Sequence, residues 1–190
     1  MHSAQIVPPA ARAGGPHLST RPETDEYAPY YAKYLERVRA DDIALTLEDS
    51  ARETAALLRS DVARARADYR YAEGKWSVKE VIGHIADAER VFAYRMLRFA
   101  RADETALPGF DENAYVPAGK FDARTLDDLL DEFLAVRNAT LARVRGIPEA
   151  AWVRRGLASE NVMSVRALAH VIPGHELHHR ALLEQRYLAG

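Results

Sequence analysis

Apolar residues return at alternating steps of three and four in four separate stretches of this 190-residue chain. Such a pattern commits a sequence to amphipathic α-helices, each of which needs a partner for one buried face. The first stretch runs from about Ile43 to Ala67, with Ile43, Leu47, Ala51, Thr54, Leu58 and Val62 on one side. Asp41 and Asp42 stand where an N-cap belongs. The second opens on Ser77-Val78-Lys79-Glu80, which reads as a capping box, and carries the stripe Val78, Val81, Ile85, Ala88, Phe92 and Phe99. The third spans about Thr125 to Arg145, with Leu126, Leu130, Phe133, Leu141 and Val144 inward and Pro148 beyond its end. The fourth runs from near Ser164 to about Leu188. No alternating β-branched run and no Asn-Gly turn marks a strand or hairpin. These segments predict an all-α protein built as a four-helix bundle.

The flanking segments set the domain. Residues 1–24 carry Pro8, Pro9, Gly14, Gly15, Pro16 and Pro22 with little periodicity, and read as a flexible arm ahead of one domain over residues 25–190. Tyr27, Tyr30, Tyr31 and Tyr34 follow at a spacing that suits a short helix. Packing as a lid on the bundle accounts for them better than stacking on a ligand. The connection from about Asp103 to Arg124 is long and contains Leu107-Pro108-Gly109-Phe110-Asp111, so it is expected to pack as an ordered loop.

Charge and composition then narrow the function. A formal net charge of -2 leaves no electrostatic footprint for nucleic acid or an anionic membrane surface. No run of about 18 apolar residues is present, and the N-terminus lacks a charged region followed by an apolar one. The cytoplasm is therefore the expected location. The chain has no cysteine, which excludes disulfides, thiolate-bound zinc and a cysteine nucleophile within it.

Polar residues inside the apolar stripes carry the chemistry. In the fourth segment Val165, Leu168, Ile172, His175, His179, Leu182 and Arg186 share one face, so two imidazoles sit where leucines would. At about 100° per residue, His179 lies about 40° from His175, one turn along, and both rings can reach one point. His178 falls nearer the edge, and His170 falls off that face. His84 occupies the inward half of the second segment between Val81 and Ala88, where a lone imidazole costs desolvation unless it finds a partner. Three imidazoles from two helices make a site for a divalent metal, with remaining positions open to water or substrate. Imidazole ligands suit zinc, nickel, iron and copper alike. Asp87 and Glu176 neighbour these histidines in sequence. Either could accept a ring N–H or serve as a base, with His178 a third group able to move protons; a solvated helix face explains both carboxylates equally well. His175-Glu176-Leu177-His178-His179 also spells HExxH, but Gln185 stands where one zincin class has its third ligand and no histidine follows His179. A zincin-type peptidase is the weaker reading.

The stretch Tyr71-Ala72-Glu73-Gly74-Lys75-Trp76-Ser77-Val78-Lys79-Glu80-Val81-Ile82-Gly83-His84 resembles the first signature of the DinB-like superfamily, related to the YfiT proteins. Ser164-Val165-Arg166-Ala167-Leu168, with Gly174 through His179, resembles its second, and Leu107 to Asp111 its interhelical loop. The resemblance covers about Arg21 to Leu188. It implies an up-down-down-up bundle and a three-histidine site, with zinc or nickel as the ion and His84, His175 and His179 as the ligands. It further implies a bacterial enzyme acting on a small molecule, either a hydrolase or an S-transferase using a low-molecular-weight thiol. Members of the superfamily often pair, which implies a homodimer. The competing expectation is a non-catalytic, stress-related module that binds a metal or ligand.

Overall fold

A computed structural model describes residues 20–39 and 42–189. Residues 1–19 of the arm expected over residues 1–24, and a capping role for Asp41, lie outside the described residues. The elements are α1 (Ala32–Leu35), α2 (Ile43–Leu58), α3 (Asp61–Ala65), α4 (Val78–Ala100), α5 (Glu112–Gly119), α6 (Leu126–Arg145), β1 (Arg155–Ala158), β2 (Asn161–Ser164) and α7 (Val165–Leu182). A π-helical turn over Leu183–Tyr187 extends the last helix.

Helix starts follow the chemistry of the orphan amides. The Asp42 carboxylate accepts from the amides of Ala44 and Leu45, Thr125 from Asp128, and Ser164 from Ala167. Ser77 accepts from the Glu80 amide at 3.0 Å, while the Glu80 carboxylate takes the Ser77 amide at 2.8 Å, completing the expected box.

Cross-contacts fix helix directions. His84 of α4 meets His175 of α7, and Phe99 near the other end of α4 packs against Gly156 beside the start of α7, so these two helices run antiparallel. Residues at the starts of α4 and α6 share one apolar cluster and residues at their ends another, so this pair is parallel. Ser50 of α2 meets Glu176 of α7, and Arg66 beyond α2 meets the Tyr187 carbonyl beyond α7, so that pair is parallel too. Glu48 pairs with Arg145 and Arg64 with Asp127, which sets α2 antiparallel to α6. The four long helices are therefore up, down, down and up; α4 and α6 pack side by side, whereas α2 stands diagonal to α4 and α6 diagonal to α7.

Two expectations need correction. The first long helix breaks at Arg59, where Ser60 accepts from the Ala63 amide and starts α3 afresh, and Val62 turns outward, 47% exposed. A hairpin exists: β1 and β2 pair antiparallel, joined through Ser159 and Glu160, whose φ values are +50° and +62°. Two non-glycine residues in the left-handed region make the tight turn that an Asn-Gly pair makes more comfortably, which hid it from a search for turn residues. His170, off the histidine face of α7, is nevertheless buried. The segment around α1 covers the outer side of α7, leaving that helix enclosed nearly all round. Gly174 permits this contact, since a Cβ there would lie 2.3 Å from the Tyr34 carbonyl oxygen. Thr20 and Arg21 are already tied down, to Arg166 and to the Leu35 carbonyl. The 103–124 connection is ordered as expected, and holds α5.

Candidate metal centre

The core consists of two apolar clusters, one toward each end of the bundle. Between them a polar layer crosses all four long helices, and its two halves differ.

In one half, Arg137 of α6 is fully buried. Its Nε donates to Glu89 at 2.9 Å, its Nη1 to the Leu47 carbonyl and Ser50 Oγ, and its Nη2 to Glu89 and Glu176 at 2.8 and 2.7 Å. Ser50 and Thr54 donate to the two Glu176 oxygens at 2.7 and 2.6 Å. Burial alone would lower the Arg137 pKa, but Glu176 and Glu89 hold it above the ordinary value, so the guanidinium stays charged.

In the other half, the Nε2 atoms of His84 and His179 each stand 3.1 Å from His175 Nε2. All three ligand atoms fall within 4.8 Å of one another. Gly83, just before His84, lets α4 press against the Phe121 ring, which a Cβ would meet at 2.4 Å. Trp76 packs on His84, Tyr34 and Phe92 on His175, so aromatic walls fix the rings. Burial lowers the His84 pKa to about 4 and those of His175 and His179 well below the usual 6.5, the neighbouring imidazoles adding to the effect for the latter two. The rings are therefore neutral near pH 7 and carry lone pairs.

These residues fit a divalent cation on geometry. An imidazole Nε2 has either one proton or one lone pair, so His175 can satisfy only one of the two nitrogens facing it. A cation at the shared point satisfies all three. Bonds of about 2.0–2.1 Å to imidazole put neighbouring donor atoms roughly 3 Å apart, close to the separations found.

A cavity of about 360 Å³ opens beside the histidines. Its wall includes Tyr31, Tyr34, Phe92, Arg95, Ser159 and His178. The tyrosine segment is thus lid and lining together, with Tyr31 and Tyr34 buried in the core while facing the cavity. His178 sits on this wall at the edge of Tyr34, its Nδ1 buried without a hydrogen-bond partner among the described residues. Burial lowers its pKa, with help from Arg37 and Lys33.

Two expected groups stand elsewhere. Glu176 is neither solvated nor turned to the histidines: both its oxygens belong to the Arg137 cluster. That placement removes the base a zincin needs and with it the peptidase reading. Asp87 pairs with Arg90 on the α4 flank and is absent from the cavity wall; burial raises its pKa. Sequence reading missed Arg137, Glu89 and Arg95. Each is a charged residue at an inward stripe position, and that was the available signal.

The fold and the converging histidines define a class of helical bundle with an interior three-imidazole centre. The chain belongs to the DinB superfamily, whose family model matches residues 46–183. YfiT from Bacillus subtilis, described as a probable metal-dependent hydrolase with an unusual four-helix bundle topology, superposes with a TM-score of 0.61 at 15% identity, covering 88% of this chain and 91% of that one. A mycothiol-dependent maleylpyruvate isomerase superposes with a TM-score of 0.56 at 17% identity over 82% of this chain; the match spans 63% of that longer protein. Likeness at this identity is likeness of fold. No curated protein sequence matches the chain.

Proposed function

We propose that this chain is a metal-dependent enzyme acting on a small molecule, with the ion held by the Nε2 atoms of His84, His175 and His179. The convergence of three neutral, buried imidazoles on one point at the end of a cavity carries this reading. A bound divalent ion would lower the pKa of a coordinated water or thiol toward neutrality, which suits a hydrolase or a thiol S-transferase. Zinc or nickel suits the all-nitrogen set. Of the two structural relatives, one is described as a probable metal-dependent hydrolase and the other as an isomerase that depends on the thiol mycothiol, which supports a small-molecule role. The chain's own contribution is placement: Trp76, Tyr34 and Phe92 hold the rings. His178, beside His179 on that wall, is the side chain placed to move a proton.

Metal analysis of protein expressed without a histidine tag tests this. About one equivalent of zinc or nickel per chain is expected, falling at least tenfold in His175→Ala. Equal metal content in the two proteins would end the proposal. The metal-loaded protein should then turn over at least one member of a panel of esters, amides and thiol acceptors, while His175→Ala does not.

A further inference from the structure

Across the same cavity stands a charge that metal chemistry does not use. Arg95 follows His84 by eleven residues on α4, close to the same face and about 16 Å farther along the axis. It is 2% exposed and lines the cavity wall. Its Nη2 donates to the Pro108 carbonyl at 3.0 Å and to Ser159 Oγ at 2.7 Å, and Tyr31 shares the cavity wall with it. Both partners are neutral.

The contrast with the other buried arginine is direct. Arg137 faces two carboxylates, whereas no carboxylate of the described residues pairs with Arg95. Glu112 is the acidic residue on the cavity wall, half-buried at the start of α5, and it forms no ion pair with Arg95. A guanidinium withdrawn from water without a counter-charge is costly unless an anion joins it. The hairpin adds a second observation. Its turn holds Ser159 and Glu160 at positive φ, a strained conformation for side-chain-bearing residues, and this turn brings Ser159 Oγ to Arg95.

We propose that Arg95, held in place by Ser159 and the Pro108 carbonyl, receives a carboxylate of the substrate. The substrate then spans the cavity, with its anionic end on Arg95, an aromatic or aliphatic middle against Phe92, Tyr31 and Phe110, and its reacting group at the three histidines. A carboxylate suits the site better than a phosphate, because one guanidinium balances one negative charge; with both Nη2 protons donated to Pro108 and Ser159, the Nε and Nη1 protons are the ones left to receive it. This substrate class rests on the metal-enzyme reading above.

Calorimetric titration of the zinc-loaded, full-length protein with 4-phenylbutyrate and with its neutral amide tests the proposal. The acid is expected to bind at least tenfold more tightly than the amide. Arg95→Met should reduce that preference at least fivefold with zinc content unchanged, Arg95→Lys should keep part of it, and Glu112→Gln should tighten acid binding severalfold. Equal binding of acid and amide to the parent, or an undiminished preference in Arg95→Met, overturns the proposal, as does tighter binding of phenyl phosphate than of the acid. Should Arg95→Met fail to fold, Arg95→Lys and Glu112→Gln decide, and unchanged acid affinity in both overturns it. Zinc content measured on the same samples keeps the two ideas apart. Protein without zinc that prefers the acid loses the metal reading alone, and zinc-loaded protein without that preference loses the carboxylate site alone.

Discussion

The two halves of the polar layer use similar materials to opposite ends. Around Arg137 all five guanidinium N–H groups have acceptors, and both oxygens of Glu176 have donors. That half is closed: nothing in it awaits a partner. Around His175 three like groups point at each other with one nitrogen unable to serve two neighbours, beside a cavity. That half is open. Burial and polarity alone do not distinguish a structural cluster from a site, since both lie in one layer of one core. Completeness of hydrogen bonding does, because a cluster built for stability leaves no lone pair or proton over.

Removing a member from each half should give opposite results. Arg137→Ala leaves two buried carboxylates facing one another, and a loss of about 3–5 kcal/mol is expected in urea unfolding, with zinc stoichiometry retained in whatever folds. A loss under about 1 kcal/mol would show that the closed half is not what holds the layer together. For the open half, zinc at a hundred times its Kd should stabilise the parent by about 2.7 kcal/mol, and His175→Ala should abolish that increment. Persistence of the increment in His175→Ala would place the ion elsewhere.

His170 sharpens the comparison, being buried in the same helix but hydrogen-bonded, its Nδ1 donating to the Arg166 carbonyl at 2.9 Å. Burial, partly opposed by that bond, lowers its pKa to about 4. Between its ordinary value near 6.5 and about 4, the unfolded chain takes up a proton that the folded chain refuses. Its contribution is therefore complete above pH 6.5 and is lost as the pH falls toward 4, on the order of 3 kcal/mol. In a zinc-free His175→Ala background, His170→Phe should flatten the stability profile across that window. An unchanged slope would mean that His170 takes no part in it.

Much of this was legible before any coordinates. Capping residues at Asp42 and Ser77 marked two helix starts, because orphan amides need acceptors whatever the tertiary fold. His84, His175 and His179 were visible as imidazoles on apolar stripes. What stayed hidden depended on neighbours remote in sequence. His170 is buried although it lies off the histidine face, because α1 packs on α7 from another side, which periodicity within α7 cannot register. Glu176 borders His175 in sequence, yet the turn of the helix points it into the Arg137 cluster, so the HExxH spelling misled. The hairpin rests on φ values that Ser159 and Glu160 adopt without glycine, and its turn supplies part of the cavity wall.

Glu176 offers the finest test of the boundary between the halves. Glu176→Gln keeps the shape and one carbonyl acceptor for Thr54 or Ser50, but turns an NH₂ toward donors that a carboxylate oxygen now receives. Arg137 retains Glu89, so the guanidinium keeps one counter-charge and the cost should be modest, roughly 1–2 kcal/mol in urea unfolding. Zinc affinity and stoichiometry should stay within about twofold of the parent, as should any turnover found, because neither carboxylate oxygen is turned to the histidines. A zincin base in the same sequence position would behave otherwise: its glutamine variant would hold metal normally and lose activity outright. Full stability with lost turnover in Glu176→Gln would mean that the polar layer is one functional unit rather than two halves.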